Sequence, residues 1–159
     1  MKTQIASSSR DIHAPASVVY EIIADYRTYH PLILPKPYFR SLEVEQGGVG
    51  AGTIVNFTLD TFGRIQHFRS RIDEPEPGRV LLETDLASGI VTRFEVSPSE
   101  DEQNTLVTIT TELKNRGALE GWIAKAMLQK IYREELNLLA KFAESRAALA
   151  QSTAGTRAA

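Results

Sequence analysis

The chain has 159 residues, 18 lysines and arginines against 20 aspartates and glutamates, and no cysteine. With 42% apolar and 24% charged residues it is an ordinary globular composition, which excludes wholesale disorder, disulfides and thiolate chemistry. A net charge of −2 gives no footprint for nucleic acid, and no apolar run approaches the roughly 20 residues of a membrane helix.

The polar stretch Ser7-Ser8-Ser9-Arg10 leaves no room for a signal-peptide core, so the expectation is a cytoplasmic protein without membrane insertion. Residues 3–12, with Ile5 and Ile12 near their ends, read as a first, irregular strand. Ala14-Pro15-Ala16-Ser17 then opens a short amphipathic helix. Its face is Val18, Val19, Ile22 and Ile23, and Pro15 suits a first turn that needs no N–H donor. Tyr26 and Tyr29 continue into a second short turn, and Pro31, Pro35 and Pro37 forbid anything longer.

From Tyr38 to Leu113 the period is two. Leu42 and Val44, then Val55, Phe57 and Leu59, then Phe68 and Ile72 alternate with polar neighbours, and Val80–Asp85, Ile90–Val96 and Thr105–Leu113 complete a six-strand antiparallel run. Its punctuation is the glycine-rich segment 46–52, Phe62-Gly63, Glu74-Pro75-Glu76-Pro77-Gly78 and the acidic turn 97–104. After Gly117 the period becomes 3.6: Leu128, Ile131, Glu135, Leu138 and Phe142 step by three and four, predicting a helix from about Leu119 to about Ala148. One domain over 1–150 is expected, with 151–159 a disordered tail. The architecture is α+β: a curved antiparallel sheet of about seven strands wrapped on a long C-terminal helix, with two short helices after the first strand. Where facing side chains of sheet and helix do not meet, an apolar cavity remains.

The segment Ile12-His13-Ala14-Pro15-Ala16-Ser17-Val18-Val19-Tyr20, running through Asp25-Tyr26 to Tyr29-His30-Pro31, resembles the opening of the START-like (SRPBCC) superfamily. That superfamily includes polyketide cyclases and dehydrases, birch-pollen-allergen-like proteins and lipid-transfer domains. The glycine-rich turn, the Glu-Pro-x-Pro-Gly turn and the terminal helix resemble the same helix-grip layout, over roughly residues 3 to 146. The run Tyr29-His30-Pro31-Leu32-Ile33-Leu34-Pro35 is also similar to a segment of the cyclase and coenzyme-Q-binding branch. The resemblance implies the fold; within the superfamily, function ranges over ligand carriage, cyclisation and dehydration.

His13, His30 and His67 are scattered, with no metal-ligand spacing, so neither a metal nor another cofactor is expected. The glycine-rich segment lacks a Gly-Lys-Ser/Thr ending, and Ser88-Gly89 lacks a nucleophile elbow. Strand parity turns Val55, Phe57, Leu59, Phe68, Leu82, Phe94 and Ile109 inward, with Gln66, Thr84, Thr92 and Thr111 as polar points. His67, Arg69, Arg71, Arg93, Glu95 and Asn56 fall on the outer face. Met127, Leu128, Ile131 and Tyr132 stand across the gap on the long helix, and Tyr26 lies beside a proline-rich lid at 31–37. Glu134, Glu135 and Glu144 with Lys125, Lys130, Arg133 and Lys141 read as the helix's solvent face. On this parity no carboxylate, lysine or histidine points inward. Trp122 reads as an anchor at the cavity mouth or at a self-association surface, which would make a homodimer.

The leading expectation is a carrier of a hydrophobic small molecule such as a lipid, polyketide or isoprenoid, with no nucleic-acid partner. The alternatives are a polyketide cyclase or dehydratase using the same cavity, with Tyr26, Gln66 and Tyr132 as its polar groups, and an interaction module whose cavity is filled by its own side chains.

Overall fold

Alternation of apolar and polar residues builds one antiparallel sheet, and the 3.6-residue repeat builds the helix laid across it. The computed structural model describes residues 3–114 and 117–158. In chain order the elements are β1 (Gln4–Ile12), α1 (Ala16–Ala24), α2 (His30–Ile33), β2 (Phe39–Gln46), β3 (Ile54–Thr61), β4 (Arg64–Glu76), β5 (Val80–Asp85), β6 (Val91–Pro98), β7 (Thr105–Leu113) and α3 (Ala118–Arg157). The seven strands lie in the order β1-β7-β6-β5-β4-β3-β2, all pairs antiparallel. β1 is regular rather than irregular: it pairs with β7 without a break from Gln4 opposite Leu113 to Ile12 opposite Thr105. Cross-strand hydroxyl bonds, Ser7 to Thr110 at 3.0 Å and Ser9 to Thr108 at 2.8 Å, account for its serine-rich outer face.

α3 is 40 residues long, roughly 60 Å at the α-helical rise. It runs on through Arg157, past the expected end near Ala148, so the stretch read as a disordered tail is helical as far as Arg157. Alanines at 147, 148, 150 and 154 supply the helix propensity that hydrophobic periodicity does not register. Its buried stripe, Ile131, Tyr132, Glu135, Leu136, Leu139, Ala140, Ala143 and Ala147, packs toward β1, α1 and α2, while Leu138 lies outside the stripe and is exposed.

The glycine-rich loop is pinned beneath α1 and lines no part of the cavity. Its backbone bonds to Ala24 and Tyr26 at 2.9 Å each, through the Gly50 N–H and the Gly48 carbonyl. Gly48 sits at φ 140° where a Cβ would overlap Arg27, and Gly50 at φ 65° where one would overlap the Glu74 carboxylate. This loop fixes the end of α1. Asp25 then turns the chain, accepting the N–H groups of Arg27 and Thr28 at 3.0 and 2.9 Å on Oδ1 and that of His30 at 2.7 Å on its carbonyl. The turn drives Tyr26 and His30 inward.

Candidate functional site

Between the sheet's inner face and the N-terminal half of α3 lies a cavity of about 540 Å³. Strand register decides its wall. Phe57 stands opposite Phe68 and Leu59 opposite Gln66; Thr92 stands opposite Thr111 and Phe94 opposite Ile109. Phe57, Leu59, Gln66, Phe68, Thr92 and Phe94 line the cavity as expected from their parity, and Thr111 joins them. Met127, Leu128, Ile131 and Tyr132 face them from α3. Val55 and Ile109 are buried in the core but do not reach the cavity. His67 sits on the outer face opposite Thr58, and Asn56 reaches Glu45 there at 3.2 Å.

Leu82 and Thr84 are a correction. Leu81 pairs with Phe94 and Glu83 with Thr92, so Leu81, Glu83 and Asp85 carry the inward parity of β5, and Leu82 and Thr84 face outward. The run Val80-Leu81-Leu82 gives period two no phase, and a register shift between Asp73 and Glu76 prevents phase from being carried over from β4. The one-residue slip hid the principal polar group of the site.

Glu83 accepts a hydrogen bond from the Tyr26 phenol at 2.5 Å, and its Oε1 lies 3.7 Å from His30 Nε2. The His30 ring stacks on Tyr26 at 4.2 Å between centroids, and its Nδ1 is 2.7 Å from the Ile23 carbonyl. A carbonyl only accepts, so Nδ1 carries the proton, and the neutral ring presents a bare Nε2 toward Glu83. Burial pushes His30 down to about 4 and Glu83 up to about 7, the Tyr26 hydrogen bond holding Glu83 from rising further. Tyr26 does not line the cavity itself; fully buried, it holds Glu83 from behind.

Glu135 is the second correction. It is 3% exposed and lines the cavity rather than joining the solvent face of α3, which follows from its place four residues after Ile131 on the apolar stripe. Burial first, and the Glu83 charge second, raise its carboxyl well above the usual range. Beside it the Tyr132 hydroxyl meets Thr111 at 2.6 Å, and Thr111 meets Thr92 at 2.8 Å, a chain of three hydroxyls. The expectation that no carboxylate or histidine points inward is therefore overturned by Glu83, Asp85, His30 and Glu135, all on the cavity wall. His30 and Leu34 also place the proline-rich segment in that wall.

The mouth is marked by lining residues that are exposed: Phe62 (88%) and Arg64 of the β3–β4 hairpin, Glu120 and Ile123 of the first turns of α3. Trp122, 64% exposed, flanks it. Among the described residues no three His, Asp or Glu side chains converge as a metal site would require. No helix among them is long and apolar enough to cross a membrane.

The family model described as "Polyketide cyclase / dehydrase and lipid transport" matches residues 3–144. No match occurs among curated proteins. Among solved structures, the KanY protein, determined by NMR in solution, is 28% identical over 91% of this chain and 99% of its own, with a TM-score of 0.80. The Zhui aromatase/cyclase from Streptomyces sp. R1128 is 21% identical over 91% of this chain and 96% of its own, with a TM-score of 0.67. Ara h 8.0201 is 14% identical over 91% of this chain and 99% of its own, with a TM-score of 0.62. The last two establish the shared helix-grip fold.

Proposed function

The chain belongs to the polyketide cyclase/dehydrase and lipid-transport family of the START-like superfamily, and on that premise we propose that its cavity binds a hydrophobic small molecule, a lipid, polyketide or isoprenoid-like compound. The observation that carries this reading is the open space of about 540 Å³ walled by Phe57, Leu59, Phe68, Phe94, Leu128 and Ile131. Ligand pockets commonly enclose about 300–1,000 Å³ and are lined mainly by such side chains. Affinity would come chiefly from apolar burial, about 25 cal/mol per Å² before the costs of ordering. Native mass spectrometry of protein purified gently from its source tests it. A stoichiometric apolar compound, released on denaturation, is expected; a clean apo mass that persists after incubation with lipids and polyketides would count against ligand binding.

The Glu83 cluster supports a second reading, a cyclase or dehydratase. A carboxyl poised near neutrality, backed by a phenol and facing a neutral imidazole, has the pKa a general base needs. Such an enzyme would gain activity as pH rises through about 7, when Glu83 ionises, and lose roughly 10²-fold or more in kcat in Glu83→Gln. Turnover of a polyketide-like substrate that ignores both the substitution and the pH would remove Glu83 from the chemistry. The unfilled cavity leaves a self-filled interaction module without support.

A further inference from the structure

The deep end of the cavity holds two carboxyl groups with no cation to match them. Arg64 is the one lysine or arginine among the described lining residues, and it lies on the exposed β3–β4 hairpin. His30 is a neutral ring whose Nδ1 proton is taken by Ile23. Tyr132, Thr111 and Thr92 are joined to one another by hydrogen bonds. Glu83 has its phenol partner, but the Oε1 of Glu135, buried at 3% residue exposure, has no hydrogen-bond partner among the described residues. A buried polar atom left unpaired destabilises the fold, and a side chain of leucine's shape would avoid that cost. Here the unpaired atom belongs to a cavity-lining residue, where an occupant can pair with it.

We propose that Glu83 and Glu135 form an end-group subsite that takes neutral ligands bearing a carbonyl or hydroxyl at one end of an apolar body, loaded oxygen-first. This rests on the ligand-binding reading above and assigns the orientation and end chemistry of the ligand. A carboxyl that keeps its proton donates to a carbonyl and accepts from a hydroxyl, so either oxygen function completes the floor. A carboxylate end group would bring a third acid against two that already disfavour ionisation, so fatty acids are excluded. An ammonium would have to shed its water beside a pair whose ionisation burial already opposes. The mouth is edged by Phe62 and Ile123, apolar surface that suits the trailing end of such a ligand.

The test is calorimetric and fluorescence titration at neutral pH with naphthalene, 2-naphthol, 2-acetylnaphthalene, 2-naphthoate and 2-naphthylmethylammonium. The two neutral oxygenated probes are expected to bind about tenfold more tightly than naphthalene, with naphthoate weakest. Glu135→Gln, which keeps a neutral donor and acceptor, should retain most of that preference, whereas Glu135→Leu should erase it while melting no lower than the parent. If that variant fails to fold, Glu135→Met, apolar and of similar length, should erase the preference instead. Equal affinity for naphthalene and its oxygenated relatives would overturn the subsite while leaving the cavity a ligand site. Tightest binding of naphthoate or of the ammonium would also overturn it. No binding by any probe would bring down both readings.

Discussion

The two halves of α3 lie on the same sheet and do opposite things with it. From Ile131 to Ala147 the helix is packed: Leu136, Leu139, Ala140 and Ala143 are buried without space around them, and the alanines let the helix come close to its neighbours. From Ala118 to Lys130 only Gly121 is buried, Met127 and Leu128 face the cavity, and Leu119, Trp122 and Ile123 stand exposed. Glu135 lies one turn past Ile131, where the packed stripe meets the cavity. One half of the helix thus carries stability and the other shapes a space, and the unpaired acid sits at their boundary. A protein selected for packing alone would have filled that space.

The largest expected effect separates the halves. Leu139→Ala should cost about 2–5 kcal/mol in denaturant unfolding, the range for a fully buried leucine, because its neighbours cannot collapse into the gap. Leu128→Ala, whose side chain already borders empty space, should cost less than about 1.5 kcal/mol. Comparable losses would erase the distinction between the halves.

Next comes the boundary itself. Glu83 has a folded pKa of about 7 against an ordinary value of 4.5, so the folded state holds its proton longer than the unfolded chain does. Its stabilising contribution is full below the ordinary value and is lost as pH rises toward 7, on the order of 3 kcal/mol in all. Glu83→Gln should therefore raise stability at pH 7.5 and abolish that decline. His30 works in the other direction: lowered from 6.5 to about 4, it contributes fully above 6.5 and its contribution is lost as pH falls. Burial raises the Glu135 carboxyl as well, so in the double variant Glu83→Gln/Glu135→Gln the stability curve should be flat from neutral pH upward and fall only on the acid side, as thermal melts over pH 4–8 would show. A double variant that still loses stability as pH rises from 5 to 7 would mean that these two buried carboxyls are not the source of the decline.

Much of this arrangement was legible in the residues. Alternation in Val55-Asn56-Phe57-Thr58-Leu59 set the phase of β3, and Phe68, Thr92 and Phe94 took the phases that pairing then imposed. Three features were not. The phase of β5 is lost in three consecutive apolar residues, and the bulge that resolves it belongs to the pairing with β4. Glu135 was visible by spacing but carries a charge, and residue type argued for solvent against a position that argued for burial. His30 is buried by the turn that Asp25 closes, a tertiary arrangement of which a lone histidine in a proline-rich stretch gives no sign.

The smallest effects lie in the hydroxyl chain. Thr92→Val should cost about 1 kcal/mol by removing one member of the Thr92–Thr111–Tyr132 series, read as a small drop in melting temperature. An unchanged melting temperature would mean that water replaces the lost hydroxyl.

The most direct measurement is methyl NMR of the protein titrated with 2-acetylnaphthalene. The cavity assigned to the N-terminal half of α3 predicts shifts at Ile123, Met127, Leu128 and Ile131, with Leu136, Leu139 and Ala143 unmoved. Shifts spread through the packed half, or confined to exposed Leu119 and Leu149, would contradict it.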